Sequence, residues 1–395
     1  MCNGTIMDKL ISFSLPLMLS GILQLMFNAV DIIVVGRFSG SQALAAVGST
    51  TALINVFTNL FIGISLGANV LAARYYATGK TKEMSETVHT AIALALVSGV
   101  AMAVIGVVFA RGALEIMGTP DDVIAKSTLY MRIYFCGMPF FMMYNYGAAI
   151  LRAVGDTKRP LIFLIVSGVI NAALNLFLVI GFHLDVAGVG IATVISQLVS
   201  CILVLRCLHH TESSYQLHLA KLRIRSVYLK QIFEVGVPAG IQSTVINISN
   251  AMLQSSVNSF GSIAMAGYTA SNNIFGFLYV SVNSFTQACM SFTSQNYGVK
   301  KLKRMDRVLI DCMILSVVVT LILGSSVYIF GPELLHIYSN QADVIKYGME
   351  IFSYTTVTYF LCGLMDLFPG ALRGMGYSTV PMILSIIGTV GVRII

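Results

Sequence analysis

Apolar runs of roughly 20 residues recur from one end of this chain to the other, and nothing constrains its folding more. They fall at 11–36, 50–73, 88–110, 127–150, 160–182, 187–208, 232–257, 267–292, 309–331, 347–369 and 381–395. As a helix, each is long enough to cross the ~30 Å hydrocarbon core of a bilayer. A membrane β-barrel would instead show alternating strands of about ten residues, and the sequence has none. Only 10% of the 395 residues are charged, too few to cover a soluble surface. The reading is an all-α polytopic membrane protein with ten complete segments and an eleventh cut short. The first run is too long for a signal peptide and no cleavage site follows it, so it counts as a membrane helix.

The net charge of +7 does not point to nucleic acid, because the basic residues alternate with the connections. Arg74, Lys80 and Lys82 follow the second segment, and Arg152, Lys158 and Arg159 the fourth. Arg206, Lys221, Arg223, Arg225 and Lys230 follow the sixth, and Lys300, Lys301, Lys303, Arg304 and Arg307 the eighth. The odd connections hold only Arg37, Arg111, Lys126 and Lys346. The positive-inside rule therefore puts the N-terminus and every even connection in the cytoplasm. Arg132 and Arg393 stand apart, inside apolar segments. The seven cysteines and six histidines show no ligand spacing, so no metal or other cofactor is expected.

Shifted by 221 residues, the chain matches itself. Tyr76 falls on Tyr297, Asp122-Val-Ile on Asp343-Val-Ile, Leu151-Arg152 on Leu372-Arg373, Gly155 on Gly376 and Pro160 on Pro381. One extra residue near Ser39 moves the start, so that Leu15-Pro16 pairs with Val237-Pro238. Two repeats of six helices in one orientation follow, parallel because the helix count per repeat is even. The expected lobes are 1–208 and 231–395, joined by a cytoplasmic linker at 209–230. Ile395 aligns with Leu174, inside the fifth helix of the first repeat, so the second repeat is expected to run on by about 45 residues.

Acids at membrane depth are costly, about 2.5–3.5 kcal/mol on insertion scales, and so mark function. Of 17 acids, Asp31 and Asp366 lie well inside segments. Asp31 shares a helix face with Gln24 and Asn28; Asn171 and Asn175 share one on the fifth segment, and Thr193 lies on the sixth. Desolvation disfavours a charged carboxyl, so Asp31 can take a proton on one side and release it on the other. The amides and hydroxyl nearby suit Na⁺ as the alternative. Asn145 aligns with Asp366, and these two, with Asn28 and Tyr144, are the expected substrate contacts. Pro16 leaves a weak point in the segment that carries Asp31.

These residues carry a resemblance. Pro16…Gln24…Asp31-Ile-Ile-Val-Val-Gly36-Arg37 resembles the first helix of the multidrug and toxic compound extrusion (MATE) family. So do the Leu-Arg-x-x-Gly turns at Leu151-Arg152…Gly155 and Leu372-Arg373…Gly376, with Pro160 and Pro381 behind them, and the stretch Ser294-Gln295-Asn296-Tyr297-Gly298. The resemblance implies a V-shaped, twelve-helix antiporter in a prokaryotic inner membrane. It would act as a monomer, exporting small cationic or amphipathic compounds by alternating access. It assigns cation coupling to Asp31, Gln24, Asn171, Asn175 and Thr193, in the manner of the DinF-like branch. Where some members carry a second acid, this chain has Asn175, and H⁺ is favoured over Na⁺. The competing readings are a lipid-linked oligosaccharide flippase of the same superfamily and a membrane-embedded transferase. The transferase would need clustered acids or a histidine site at membrane depth, and the sequence shows neither.

Overall fold

The computed structural model describes residues 1–258 and 260–394, with backbone alone at Ser41, Ala52, Ala251, Ser255, Asn258, Ser262, Val392, Arg393 and Ile394. Among the described residues every regular element is helical. The α-helices are α1 (Met7–Phe38), α2 (Ser41–Ala77), α3 (Thr81–Ile116), α4 (Asp121–Cys136), α5 (Met138–Ala153), α6 (Lys158–Leu176) and α7 (Asp185–His209). They continue with α8 (Ser226–Asn258), α9 (Ser262–Gly298), α10 (Leu302–Ile329), α11 (Gly331–His336), α12 (Ala342–Met375) and α13 (Thr379–Gly388). Short π-helical turns, Phe177–Gly181 and Thr389–Ile394, extend α6 and α13.

Seven of these helices are long and apolar enough to span a membrane by length and composition: α1, α2, α3, α6 with its π turn, α7, α10 and α12. The other expected segments differ for visible reasons. The fourth is two helices, because α4 stops at Cys136 and α5 restarts at Met138 with Pro139 in its first turn. Proline has no N–H to give the preceding turn, so the ladder breaks just before it. Helices α8 and α9 are 33 and 37 residues long, but serine, threonine, asparagine and glutamine dilute their apolar character.

The repeat is visible in the backbone. Helices α2 and α9 both have 37 residues and follow glycines in matching conformations, Gly40 at φ 85° and Gly261 at φ 96°. The Leu-Arg-x-x-Gly turns are helix C-caps. Gly155 (φ 99°) and Gly376 (φ 98°) turn left-handed, and their N–H groups donate to Arg152 O at 3.0 Å and Arg373 O at 2.9 Å. The next N–H, of Asp156 or Tyr377, donates to Leu151 O or Leu372 O, each at 2.9 Å. Glycine adopts that conformation without a Cβ clash, which is why it closes both turns.

The chain groups into two compact units, Leu19–Ile241 and Met1–Met18 with Gln242–Ile395. This division departs from lobes 1–208 and 231–395, and side-chain burial explains it. In the second unit Leu10, Phe13 and Leu17 of α1 are buried with Phe285, Phe292 and Cys312, the Phe13 and Phe292 rings meeting edge-on at 5.6 Å. Arg304 donates to the main-chain carbonyls of Met1 and Asn3 at 3.2 Å each. In the first unit Ile232 of α8 joins a core containing Met84, Met102, Phe135, Met138 and Tyr146. The linker is held there too. The His218 N–H donates to His89 Nε2 at 3.0 Å, while Glu86 pairs with Arg223 at 2.7 Å and Arg225 at 3.2 Å.

Candidate functional site

The site lies in the first unit, where α1 meets α6. Gly168, Asn171 and Asn175 follow one another at helical spacing and share one face of α6, and all three are buried. A Cβ on Gly168 would stand 1.8 Å from the Phe27 ring, so glycine lets α1 approach. One turn beyond Phe27 on α1 comes Asp31, half-buried.

Several helical asparagines in this chain turn their amide back to the carbonyl four residues earlier. Asn59, Asn145, Asn247 and Asn296 all do so, at 2.7–2.9 Å. Asn175 does not. Its Nδ2 donates across the helix boundary to Asp31 Oδ1, and also to Asn171 Oδ1 at 3.2 Å. Asn175 Oδ1 is buried and has no hydrogen-bond partner. Such an oxygen lacks what a cation or a proton donor supplies. Tyr130 and Tyr134 of α4 stand close enough to feel the Asp31 charge.

Thus Asp31, Asn171 and Asn175 meet. The other expected residues do not join them. Thr193 spends its hydroxyl on Val189 O of its own helix at 3.0 Å. Gln24 and Asn28 are exposed on α1. Tyr144, expected at the substrate, is instead buried, with its hydroxyl donating to Pro160 O at 3.1 Å; the bond ties α5 to α6. Asn145 Nδ2 is occupied by Phe141 O at 2.8 Å. Sequence reasoning missed Gly168, Phe27 and Tyr130. Gly168 did leave a signal, being a glycine three residues before Asn171 on the polar face of an otherwise apolar helix.

In the second unit Asp366 is half-buried on α12, with Arg373 two turns on and the Tyr279 hydroxyl of α9 in its field. Arg373 donates to Gln242 Oε1 at 2.5 Å, and Gln242 Nε2 donates to Ser385 Oγ at 2.5 Å. A lipid-linked oligosaccharide flippase would call for basic residues in its cavity, and Arg132 and Arg393 are the two that lie inside apolar segments. Arg132 is exposed and donates to Val107 O of α3, and the Arg393 side chain lies outside the described residues.

Two similar sets of long apolar helices, with a carboxyl and amides gathered at membrane depth in one of them, define a polytopic α-helical membrane transporter. The chain belongs to the MatE family, which it matches over residues 16–177 and again over 238–395. It is 30% identical over 389 residues to the "Probable multidrug resistance protein YoeA" of Bacillus subtilis (strain 168), covering 97% of this chain and 84% of that protein. It is 23% identical over 390 residues to the "Multidrug export protein MepA" of Staphylococcus saprophyticus, covering 98% and 85%. Its fold superimposes, with a TM-score of 0.92 at 20% identity, on the structure described as the "Outward-facing conformation of a multidrug resistance MATE family transporter of the MOP superfamily", covering 98% of this chain and 86% of that one. Proteins of this family are transporters, not enzymes.

Proposed function

We propose that the chain exports small cationic or amphipathic compounds by H⁺ antiport, alternating access between the two membrane faces, with Asp31 as the coupling carboxyl. The observation that carries this reading is Asn175, which holds Asp31 through its amide while its own buried oxygen lacks a donor. A proton on Asp31, or a cation beside it, changes the demand on every partner in that cluster. Export of drugs is supported by the relatives whose names carry multidrug resistance and export. H⁺ is preferred over Na⁺ because the cluster contains a single acid, and one carboxyl cycling one proton needs no further charge.

The half-buried Asp366 offers the second unit a negative group for a cationic compound. Pro16 is the hinge of this mechanism: it lies two residues before α1 passes from the second unit into the first, and no N–H at that position resists bending. The N-terminus and the linker face the cytoplasm on the charge distribution.

The test is dye efflux from cells with the H⁺ and Na⁺ gradients collapsed separately, for the wild type and Asp31→Asn. Efflux is expected to stop when the H⁺ gradient is lost and to be absent from Asp31→Asn at normal membrane levels. Loss of efflux on collapsing Na⁺ alone would make Na⁺ the coupling ion. Wild-type rates from Asp31→Asn would end the proposal.

A further inference from the structure

Arg132 has no part in the site above. On α4 the exposed residues Ala125, Leu129, Arg132 and Cys136 form one stripe, opposite the buried Val123, Ser127, Tyr130, Met131 and Phe135. The neighbouring helix α3 also carries exposed apolar residues, Val104 and Val108, at 58% and 61%. In a chain that spans the membrane, such an exposed apolar surface faces lipid. Arg132 is the one cation in that stripe.

Its position is defined. Arg132 Nε donates to Val107 O of α3 at 3.1 Å, which anchors the guanidinium against the α3 backbone. Val107 lies one turn, about 6 Å, inside Arg111, the first charge at that end of α3. The guanidinium thus lies about one helical turn from the nearest charged position of α3, within the reach of a long basic side chain that extends toward a headgroup phosphate.

Among the described residues the nearby acids are engaged elsewhere or distant. Glu115 is paired with Arg111 at 2.9 Å, and Asp185 with Lys126 at 2.7 Å. Asp121 and Asp122 open α4, at least ten residues and so about 15 Å along the axis from Arg132. Among the described residues no carboxylate pairs with Arg132. A guanidinium held in an apolar surface needs an anion, and its planar fork fits a phosphodiester in bidentate fashion.

We infer that Arg132 and the α3–α4 surface around it form a binding site for a phospholipid of the leaflet nearest the α3–α4 connection. The headgroup phosphate sits on the guanidinium and the acyl chains lie along Val104, Val108 and Leu129. This inference rests on the membrane-spanning fold and not on the coupling mechanism.

The test uses the purified full chain in detergent, with no ion gradient, and measures lipid adducts by native mass spectrometry. Phosphatidylglycerol, a diacylglycerol with the same chains, and inorganic phosphate are titrated in turn. The wild type is expected to retain phosphatidylglycerol over diacylglycerol, and inorganic phosphate is expected not to compete. R132Q is expected to weaken phosphatidylglycerol binding roughly five- to tenfold, with R132K in between because it keeps charge and loses the fork. Equal retention of both lipids by the wild type overturns the proposal and needs no variant to fold. So does unchanged phosphatidylglycerol binding by R132Q, or displacement by inorganic phosphate, which would make the ligand a free anion.

Discussion

The amide of Asn175 donates to the carboxyl of Asp31 across the meeting of α6 and α1, while Asn175 Oδ1 stays buried without a partner. Asn171 accepts the same amide at 3.2 Å, so the two asparagines act as one support for a single acid. A helix-bonding asparagine would be content with a carbonyl. Here the partner is ionisable, and the unfilled oxygen leaves the cluster able to respond to a cation.

Removing that support is expected to impair coupling more than folding. Asn175→Ala deletes a hydrogen bond to a charged group, about 1.5–3 kcal/mol, and gradient-driven efflux is expected to fall about tenfold or more. Asn175→Asp puts a second carboxyl beside the first, and the two then titrate as a unit. The pH of half-maximal efflux is expected to move by about one unit or more; an unchanged profile would separate Asn175 from coupling.

The glycine beneath the cluster is expected to be nearly irreplaceable. In Gly168→Ala the new methyl meets the Phe27 ring, so α1 must withdraw from α6. Overpacking of this kind costs about 1–3 kcal/mol, read as a lower melting temperature in detergent together with weaker efflux. Adding Phe27→Leu is expected to restore part of both. A Gly168→Ala protein that melts and pumps like the wild type would mean that the two helices need not approach so closely.

Tyr144 separates packing from substrate binding. Tyr144→Phe removes the bond to Pro160 O, with an expected loss of about 1 kcal/mol in stability and no change in the order of preferred substrates. A changed substrate order at unchanged stability would return Tyr144 to the binding role read from sequence.

Topology is checked with single cysteines in a background lacking the seven native ones. Ser213→Cys in the linker is expected to resist an impermeant thiol reagent in intact cells, and Asp121→Cys at the opposite end of the first unit to react. The reverse pattern would invert the orientation read from the basic residues.

Much of the site was legible in the sequence because isolated polar residues in apolar helices stand out. Asp31, Asn171 and Asn175 were visible for that reason, and the structure brings them together. Thr193 and Tyr144 looked equally apt, yet their hydroxyls are taken by Val189 O and Pro160 O. A sequence shows that a hydroxyl lies at membrane depth, but not which carbonyl has claimed it. Gln24 and Asn28 share a helix face with Asp31, but Asp31 alone of the three meets α6 through a hydrogen bond.

The amino-acid sequence by itself determined the helices, the repeat and the family resemblance. Apolar run length, loop charge and the Gly155 and Gly376 turns are local properties, set by backbone hydrogen bonding in lipid and by the cost of left-handed backbone for other residues. Only the tertiary structure decided where the compact units divide. Helices α1 and α8 are each continuous, yet their first stretches bury side chains in a different unit from their last. It also decided which polar groups meet, because a hydrogen bond between Asn175 and Asp31, 144 positions apart, depends on the packing that Gly168 and Phe27 permit.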